Sequence, residues 1–182
     1  MAALLEGIPF RIVNLTDLAG LALPPEGESS YADNALGKAR AVARATGEIA
    51  LADDSGIEVD ALGGRPGVLS ARYGGEGLSD PERCVVMLNE MTGVPVERRG
   101  ARFRCLIAIV CPRRGLETTL EGVVEGVLLD TPRGDGGFGY DPIFFYPTLG
   151  KSFAELSAEE KNRVSHRARA CRQARAWLLS QP

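Results

Sequence analysis

The feature that most constrains the fold is an almost uninterrupted apolar segment, residues 103–110. Its sequence is Phe-Arg-Cys-Leu-Ile-Ala-Ile-Val, with a single charge near the start. Such a run is typical of a strand buried on both faces, because a strand with one solvated face alternates between apolar and polar residues. Strands and helices interleave along the rest of the chain. The sequence therefore predicts an α/β fold.

Periodicity and end signals predict the other elements. Helices are predicted over residues 30–47, 81–91 and 157–178. Strands are predicted over residues 10–13, 49–52, 103–110 and 118–129. Ser30 can cap the first helix and Gly47 ends it, whereas a capping box at residues 157–160 begins the last. Gly37 inside the first helix costs about 1 kcal/mol relative to Ala, which predicts close approach by another group.

Composition and charge exclude several classes of protein. The 182 residues carry a net charge of −3, which argues against a nucleic-acid-binding protein with a basic footprint. No apolar run approaches the roughly 18 residues of a membrane span, and the first residues lack the pattern of a signal peptide. The four cysteines form no CxxC or Cys/His cluster. We therefore expect reduced, mostly buried thiols in a cytoplasmic protein with no membrane partner.

The first candidate for chemistry is the pair Asp53-Asp54, followed by Ser55-Gly56. Two carboxylates placed directly after a buried strand are expected at the rim of a sheet, where ligands bind in α/β folds. Hard oxygen donors of this kind suit Mg²⁺, which takes one or two carboxylates together with substrate phosphates. The alternative interpretation is a polar turn in which Asp53 caps a backbone group.

The second candidate is the segment Gly136-Gly137-Phe138-Gly139-Tyr140-Asp141-Pro142. Glycines allow the backbone to approach a ligand closely, and a neighbouring aromatic ring offers a stacking face for a planar base. A β-turn between core aromatics explains the same pattern without a ligand.

The third candidate is the basic stretch that begins at Lys161 and runs through Ser165, His166 and Arg167. It contains the only histidine and one of three lysines among 21 basic residues. Cations of this kind recognise phosphate, although a solvated basic face is the usual explanation of such a run. Within one helix these side chains turn progressively away from each other, so a ligand would have to contact them from more than one direction.

Five ordered segments closely resemble the inosine/xanthosine triphosphate pyrophosphatase family, and the match covers almost the whole chain. They are YADNALGKA from Tyr31, LADDSGIEVDALGG from Leu51, PGVLSARY from Pro66, GFGYDPIFF from Gly137 and EKNRVSHR from Glu160. The chain has no Walker A, GxGxxG, HExxH or GxSxG motif that would favour another enzyme class.

The resemblance implies a hydrolase that converts ITP, dITP and XTP into the monophosphate and pyrophosphate. It also implies an Mg²⁺ cofactor and a homodimer that binds no nucleic acid. The implied fold is an elongated mixed β-sheet flanked by helices, a single domain over residues 1–182 whose two lobes surround a central nucleotide-binding cleft.

Residue by residue, the resemblance also implies roles at the site. Asp54 matches the carboxylate that binds the metal and acts as base towards the attacking water. Glu26 matches the second metal carboxylate, and Lys38 and Ser55 match substrate contacts. The base-binding loop corresponds to Phe138, Gly139, Tyr140 and Asp141. The remaining nucleotide-binding positions are Lys161, His166 and Arg167.

The beginning of the chain departs from the family pattern. Family members start with a strand and a Thr/Ser-Gly-Asn-x-x-Lys loop that grips the triphosphate, whereas Met1-Ala-Ala-Leu-Leu aligns with the helix after that loop. The expectation is an N-terminally shortened domain. This leaves an alternative function open, a catalytically impaired nucleotide-binding dimer that has lost the phosphate loop.

Overall fold

The computed structural model describes residues 2–18 and 20–180. Over that range it contains four α-helices and five β-strands, so the predicted α/β class is confirmed. The helices are α1 Tyr31–Thr46, α2 Asp80–Glu90, α3 Ala158–Val164 and α4 His166–Ser180. The strands are β1 Ala50–Val59, β2 Gly100–Cys111, β3 Leu116–Leu128, β4 Phe144–Tyr146 and β5 Lys151–Ser152.

The five strands form one sheet in chain order, β1-β2-β3-β4-β5. Strands β3 and β4 pair antiparallel with Val127 opposite Phe145, and β4 and β5 pair antiparallel with Phe145 opposite Ser152. Among the helices of the described residues, none is long and apolar enough to cross a membrane.

The chain divides into two compact units. The first contains the described parts of Met1–Asp54, Cys105–Gly122 and His166–Pro182, and the second contains Ser55–Arg104 and Val123–Ser165. Strands β1, β2 and β3 each contribute residues to both units. Different stretches of the same strands therefore contribute to the core of each unit.

The core of the first unit is built on both faces of β2. Cys105, Ile107 and Ile109 pack with α4 residues, among them Cys171 and Ala174. The intervening residues Ala108 and Val110 pack instead with the alanines of α1, which are Ala35, Ala39 and Ala43. The predicted burial of this strand on both faces is confirmed, and two helices provide the cover.

The core of the second unit is centred on three phenylalanines. The rings of Phe103 and Phe144 lie 4.5 Å apart between centroids, and those of Phe144 and Phe153 lie 4.8 Å apart. Ile57, Met87 and other apolar side chains surround them without solvent exposure. Tilted and edge-on arrangements at these distances add favourable ring interactions to the burial of apolar area.

The end signals of α1 act as predicted. The N–H of Asp33 donates to Ser30 Oγ at 3.1 Å, and Gly47 ends the helix with φ of +71°. The expected close approach at Gly37 is absent among the residues described, since a Cβ there would meet only Pro24 Cγ at 3.8 Å, an ordinary contact.

One predicted strand is absent, one is longer than predicted, and one predicted helix is divided in two. Residues 10–13 form no strand, and Phe10 and Val13 are exposed, because no strand of the described residues pairs with them. The strand predicted at 49–52 continues to Val59. The last predicted helix breaks at Ser165, where ψ of +155° is extended, so α3 and α4 are separate helices.

A tight contact between β3 and α4 depends on the absence of a side chain at Gly122. A Cβ at this position would lie 2.1 Å from the backbone oxygen of His166 and 2.5 Å from the nitrogen of Ala170. Both neighbours are helix backbone and cannot move aside as a flexible side chain would. The strand and the start of α4 can therefore approach closely only with glycine here.

We expect Gly122→Ala to lower the free energy of unfolding by about 1 to 3 kcal/mol, because the added methyl group forces α4 away from β3. Gly37→Ala is the matched control, expected to raise it by up to about 1 kcal/mol through better helix propensity. Urea unfolding followed by circular dichroism measures both. A Gly122→Ala chain as stable as wild type would contradict the packing described.

All four cysteines are free and buried, as predicted. Burial raises the pKa of Cys84 and of Cys105 to about 12, and that of Cys171 to about 11. The thiolate is the reactive form of cysteine. The raised pKa values of Cys84, Cys105 and Cys171 therefore favour the protonated, less reactive form of these three thiols in the folded chain.

We expect iodoacetamide at pH 8 to leave Cys84, Cys105 and Cys171 unmodified in the native chain and to alkylate them in urea. Intact-mass and peptide-mass spectrometry at successive times measures the modification. Rapid alkylation of any of the three under native conditions would contradict their burial.

Candidate functional site

Asp54 is a buried carboxylate inside β1, only 8% exposed. Asn34 on α1 donates from Nδ2 to Asp54 Oδ2 at 2.9 Å. The ammonium of Lys38, one helical turn further along α1, lies 3.9 Å from Asp54 Oδ1. A largely desolvated carboxylate is therefore held by an amide donor and faces a cation, which compensates for its burial.

Lys38 also connects Asp54 to Glu26. The Lys38 ammonium lies 2.7 Å from Glu26 Oε1, and the lysine side chain is only 13% exposed. Glu26 belongs to the loop that precedes α1, so the Glu26 contact joins this loop to the helix. Two carboxylates thus converge on one cation, and the structure brings together three residues to which the resemblance assigns a role at the site.

Asn34 contacts Asp54 directly, although the sequence analysis did not select it as a site residue. Besides holding Asp54, its Oδ1 accepts the N–H of Gly27 at 2.8 Å, and its Nδ2 donates to the oxygen of Gly27 at 3.2 Å. The available signal was its position on the apolar face of α1, directly before Ala35 and one turn before Lys38. A buried amide on such a face requires partners.

No group of three or more His, Cys, Asp or Glu side chains is placed to hold a metal in the part of the chain that the structure describes. The two carboxylates of Glu26 and Asp54 nevertheless form a donor set of hard oxygens around a position where positive charge is stabilised. Mg²⁺ takes one or two carboxylates and completes its shell with waters and substrate phosphates. The chemistry of this pair therefore fits Mg²⁺.

Asp53 lies on the opposite face of β1 from Asp54. It accepts a hydrogen bond from Arg167 Nε at 3.0 Å, and Cys105 Sγ lies 4.0 Å from the same carboxylate oxygen. The rim position predicted for the two carboxylates is wrong, because β1 continues through them and successive strand residues point to opposite faces. Asp53 therefore interacts with a residue of α4, and Asp54 with residues of α1.

The basic stretch is divided by the break at Ser165. Lys161 lies on α3 in the second unit, whereas His166 and Arg167 open α4 in the first. His166 is 5% exposed, and its backbone is the part of α4 that β3 approaches at Gly122. Ser55, the last of the predicted contacts near Asp54, is half-buried in the second unit.

In the second unit, Phe138 is an exposed aromatic residue of the glycine-rich loop, at 57%. Lys161 Nζ lies 4.4 Å from its ring centroid and also contacts the carboxylate of Asp141. Asp141 is almost fully buried, and its Oδ2 accepts the N–H of Phe138 at 2.7 Å. One buried carboxylate therefore fixes both the backbone of the aromatic residue and the cation above its ring.

Gly137 is required by this arrangement. A Cβ at Gly137 would lie 2.1 Å from Asp141 Oδ2, and the residue has φ of +75°. Gly139 also has a positive φ, +60°, but a Cβ there would meet no atom within 4 Å. The two glycines therefore differ in what a side chain would collide with.

Tyr140 is the buried anchor of the loop. Its hydroxyl donates to the backbone oxygen of Ser70 at 2.8 Å, and Ser70 Oγ accepts the N–H of Ile57 in β1 at 2.9 Å. Burial raises the pKa of Tyr140, so its hydroxyl stays protonated and keeps this hydrogen bond. The loop is thus tied through two hydrogen bonds to the sheet.

The family model of the Ham1 family matches residues 1–177. A dITP/XTP pyrophosphatase from Geobacter sulfurreducens is 50% identical over 170 residues, which cover 93% of this chain and 85% of that protein.

The fold is similar to that of two solved structures. One is a HAM1 protein from Coxiella burnetii, with a TM-score of 0.86, 37% identity and coverage of 97% of this chain and 89% of that one. The other is a nucleoside-triphosphatase or dITP/XTP pyrophosphatase from Mycobacterium abscessus, with a TM-score of 0.76, 44% identity and coverage of 90% and 83%. The resemblance carried by the five sequence segments is confirmed, and the chain belongs to the Ham1 family.

Proposed function

We propose that this chain hydrolyses the aberrant purine nucleotides ITP, dITP and XTP to the monophosphate and pyrophosphate, with Mg²⁺ as cofactor. The observation that carries the proposal is the buried carboxylate of Asp54, held by Asn34 and facing Lys38. The names of the family relatives support the reaction class, since they describe dITP/XTP pyrophosphatases.

Asp54 acts as the general base in this proposal. It accepts a proton from water as the water oxygen bonds to phosphorus and the anhydride linkage between the α- and β-phosphates breaks. Asn34 holds one carboxylate oxygen, which fixes the orientation of the group. The other oxygen faces Lys38, whose positive charge favours the ionised carboxylate that can accept a proton.

Glu26 and Asp54 would hold the Mg²⁺, which supplies charge neutralisation at the phosphates. Lys38 also binds the negatively charged phosphates. Before the substrate binds, the ion pair with Glu26 keeps the Lys38 ammonium beside the two carboxylates. Arg167 provides a further contact with the phosphates or the nucleotide. The hydrogen bond from Arg167 Nε to Asp53 orients its guanidinium group. Phosphoryl transfer depends mainly on such positioning and charge stabilisation.

Phe138 and Lys161 provide the base-recognition elements. The exposed ring of Phe138 offers a face on which a purine stacks, and Lys161 offers a donor to a 6-keto oxygen. Hypoxanthine and xanthine carry that oxygen, whereas adenine carries an amino group that would leave the donor unpaired. Sites built around such donors discriminate strongly between these bases. His166 and Ser55 complete the proposed nucleotide contacts.

We also propose a cytoplasmic homodimer. The free, buried thiols favour a reducing compartment. Size-exclusion chromatography with light scattering tests the dimer, and a monomeric mass at micromolar concentration would contradict it.

The function is tested by incubating the chain with dITP and Mg²⁺ and measuring pyrophosphate. We expect turnover of dITP and ITP to exceed that of dATP. A folded chain that binds ITP without releasing pyrophosphate would instead be a non-hydrolysing nucleotide-binding protein.

We expect Asp54→Asn to lower kcat by about 100- to 10,000-fold, the range of general-base contributions. Its free energy of unfolding should change by less than about 1 kcal/mol. Lys38 retains its ion pair with Glu26, and the asparagine side chain has the same shape as the aspartate that it replaces. The matched control is Asp53→Asn, which should weaken substrate binding through Arg167 while kcat falls less than tenfold. Equal losses of kcat in the two variants would contradict the assignment of Asp54.

We expect Gly137→Ala to weaken IMP binding about tenfold, equivalent to about 1.4 kcal/mol of strain at the loop. The added methyl group would displace Asp141 and with it the backbone of Phe138. Gly139→Ala is the control, since it shares the positive φ without the collision and should cause a smaller loss. Titration calorimetry measures both, and equal affinities would contradict the role of Asp141.

A further inference from the structure

A long-range contact holds the base-recognition loop to the start of α2. The N–H of Gly139 donates to Asp80 Oδ2 at 2.6 Å, although the two residues lie 59 positions apart in the chain. Asp80 is the first residue of α2, and both residues belong to the second unit. A hydrogen bond between an amide and a carboxylate is among the stronger kinds in proteins.

A second hydrogen bond from α2 reaches the backbone oxygen of Gly139. Cys84 lies four residues after Asp80, on the same helix face, and its Sγ donates to the oxygen of Gly139 at 3.4 Å. Burial and the charges of Asp80 and Asp141 raise the pKa of Cys84 to about 12, so the thiol keeps the proton it donates. One face of α2 therefore holds both the N–H and the oxygen of Gly139.

On the side where a Cβ of Gly139 would lie, no atom beyond its chain neighbours lies within 4 Å, so no packing holds the residue from that side. The residue separates the exposed Phe138 from the buried Tyr140. At this transition, the hydrogen bonds from α2 hold the backbone of Gly139, and Asp141 holds the backbone of Phe138. The two sets of contacts together position the ring of Phe138 relative to Lys161.

The start of α2 does not need Asp80 for its own cap. The carboxylate of Glu82 accepts from both the N–H of Ser79 at 2.7 Å and its hydroxyl at 2.6 Å. Asp80 adds charge at the helix N-terminus, which is a modest effect. Its carboxylate is therefore available for the loop.

We propose that Asp80 is a positioning residue for base recognition, whose carboxylate fixes the Gly139 amide and thereby the stacking face of Phe138. The inference rests on the proposed function, and it adds a determinant that none of the sequence motifs contains. In this proposal Asp80 acts through the loop, by its contact with Gly139, and not on the substrate itself. Its loss should affect affinity for the base and discrimination between bases more than the hydrolytic step.

Three substitutions of Asp80 distinguish the effect of its hydrogen-bond acceptor from the effect of its negative charge. Asp80→Ala removes both, Asp80→Asn keeps an acceptor oxygen at the same position, and Asp80→Glu keeps the charge but moves the acceptor by one methylene group. Glu159→Ala is the control, because Glu159 is also an acid in the first turn of a helix of this unit and contacts Arg163 instead of the loop.

Steady-state kinetics with dITP and dATP on the full chain measures the effect. We expect Asp80→Ala to raise KM for dITP about tenfold, with kcat within about twofold, and to narrow the preference for dITP over dATP about tenfold. Asp80→Asn should stay close to wild type, Asp80→Glu should fall between Asp80→Asn and Asp80→Ala, and Glu159→Ala should match wild type. The reverse order, with Asp80→Glu normal and Asp80→Asn impaired, would show a helix-charge effect and overturn the proposal.

Amide hydrogen exchange at Gly139, followed by NMR, gives a readout that does not depend on activity. Exchange should accelerate at least about tenfold in Asp80→Ala and stay slow in Asp80→Asn, because only the former loses the acceptor. Unchanged exchange in Asp80→Ala would overturn the positioning role. A wild-type chain without turnover would overturn the proposed function instead, and the exchange rates would still decide whether Asp80 fixes the loop.

Discussion

The first unit depends on the burial of β2 on both faces. Because α1 covers one face and α4 the other, the neighbouring strand β1 is enclosed by the same two helices. Ala50 and Ala52 pack with the α1 cluster, whereas Leu51 packs with the α4 cluster. The period of two along β1 then sends Asp54 towards α1 and Asp53 towards α4. Two adjacent carboxylates thus acquire different partners through strand geometry alone.

The buried polar groups of this site are stabilised by the same enclosure. A carboxylate with little solvent exposure is costly unless donors and a cation surround it. Asn34 and Lys38 supply them from consecutive turns of α1, on the face that its alanines bury. The small side chains of that face let the helix lie close to the strand, so the polar contacts can be short. The same face of α1 therefore provides both the packing around Asp54 and the groups that compensate its charge.

Local patterns predicted much of this fold. The apolar run of β2, the Ser30 cap of α1 and the capping box at Ser157 are each signals that span only a few residues, and a strand or helix forms at each of them. The interpretation of Asp53-Asp54 as a turn or strand end failed. Local polarity suggested a loop, but the strand continues through both residues to Val59, and Ile57 and Val59 are buried in the core of the second unit. The break at Ser165 was missed because the apolar stripe continues across it.

The sequence pointed to the candidate residues of the site but not to the tertiary contacts that hold them in position. The motif residues Asp54, Phe138 and Lys161 were visible in the sequence. In contrast, the contacts of Asn34 with Gly27, and of Asp80 with Gly139, link positions whose proximity only tertiary structure creates. Propensity and spacing carry no information on such pairs.

The amide of Asn34 has a consequence for how this site responds to heat. It binds both backbone groups of Gly27 and one oxygen of Asp54, so the loop before α1 and the orientation of the carboxylate share one side chain. Loss of order in that loop would release the carboxylate at the same time. Under the proposed function, local melting next to Glu26 would then end catalysis while both cores remain folded, which separates the thermal limit of activity from that of the fold.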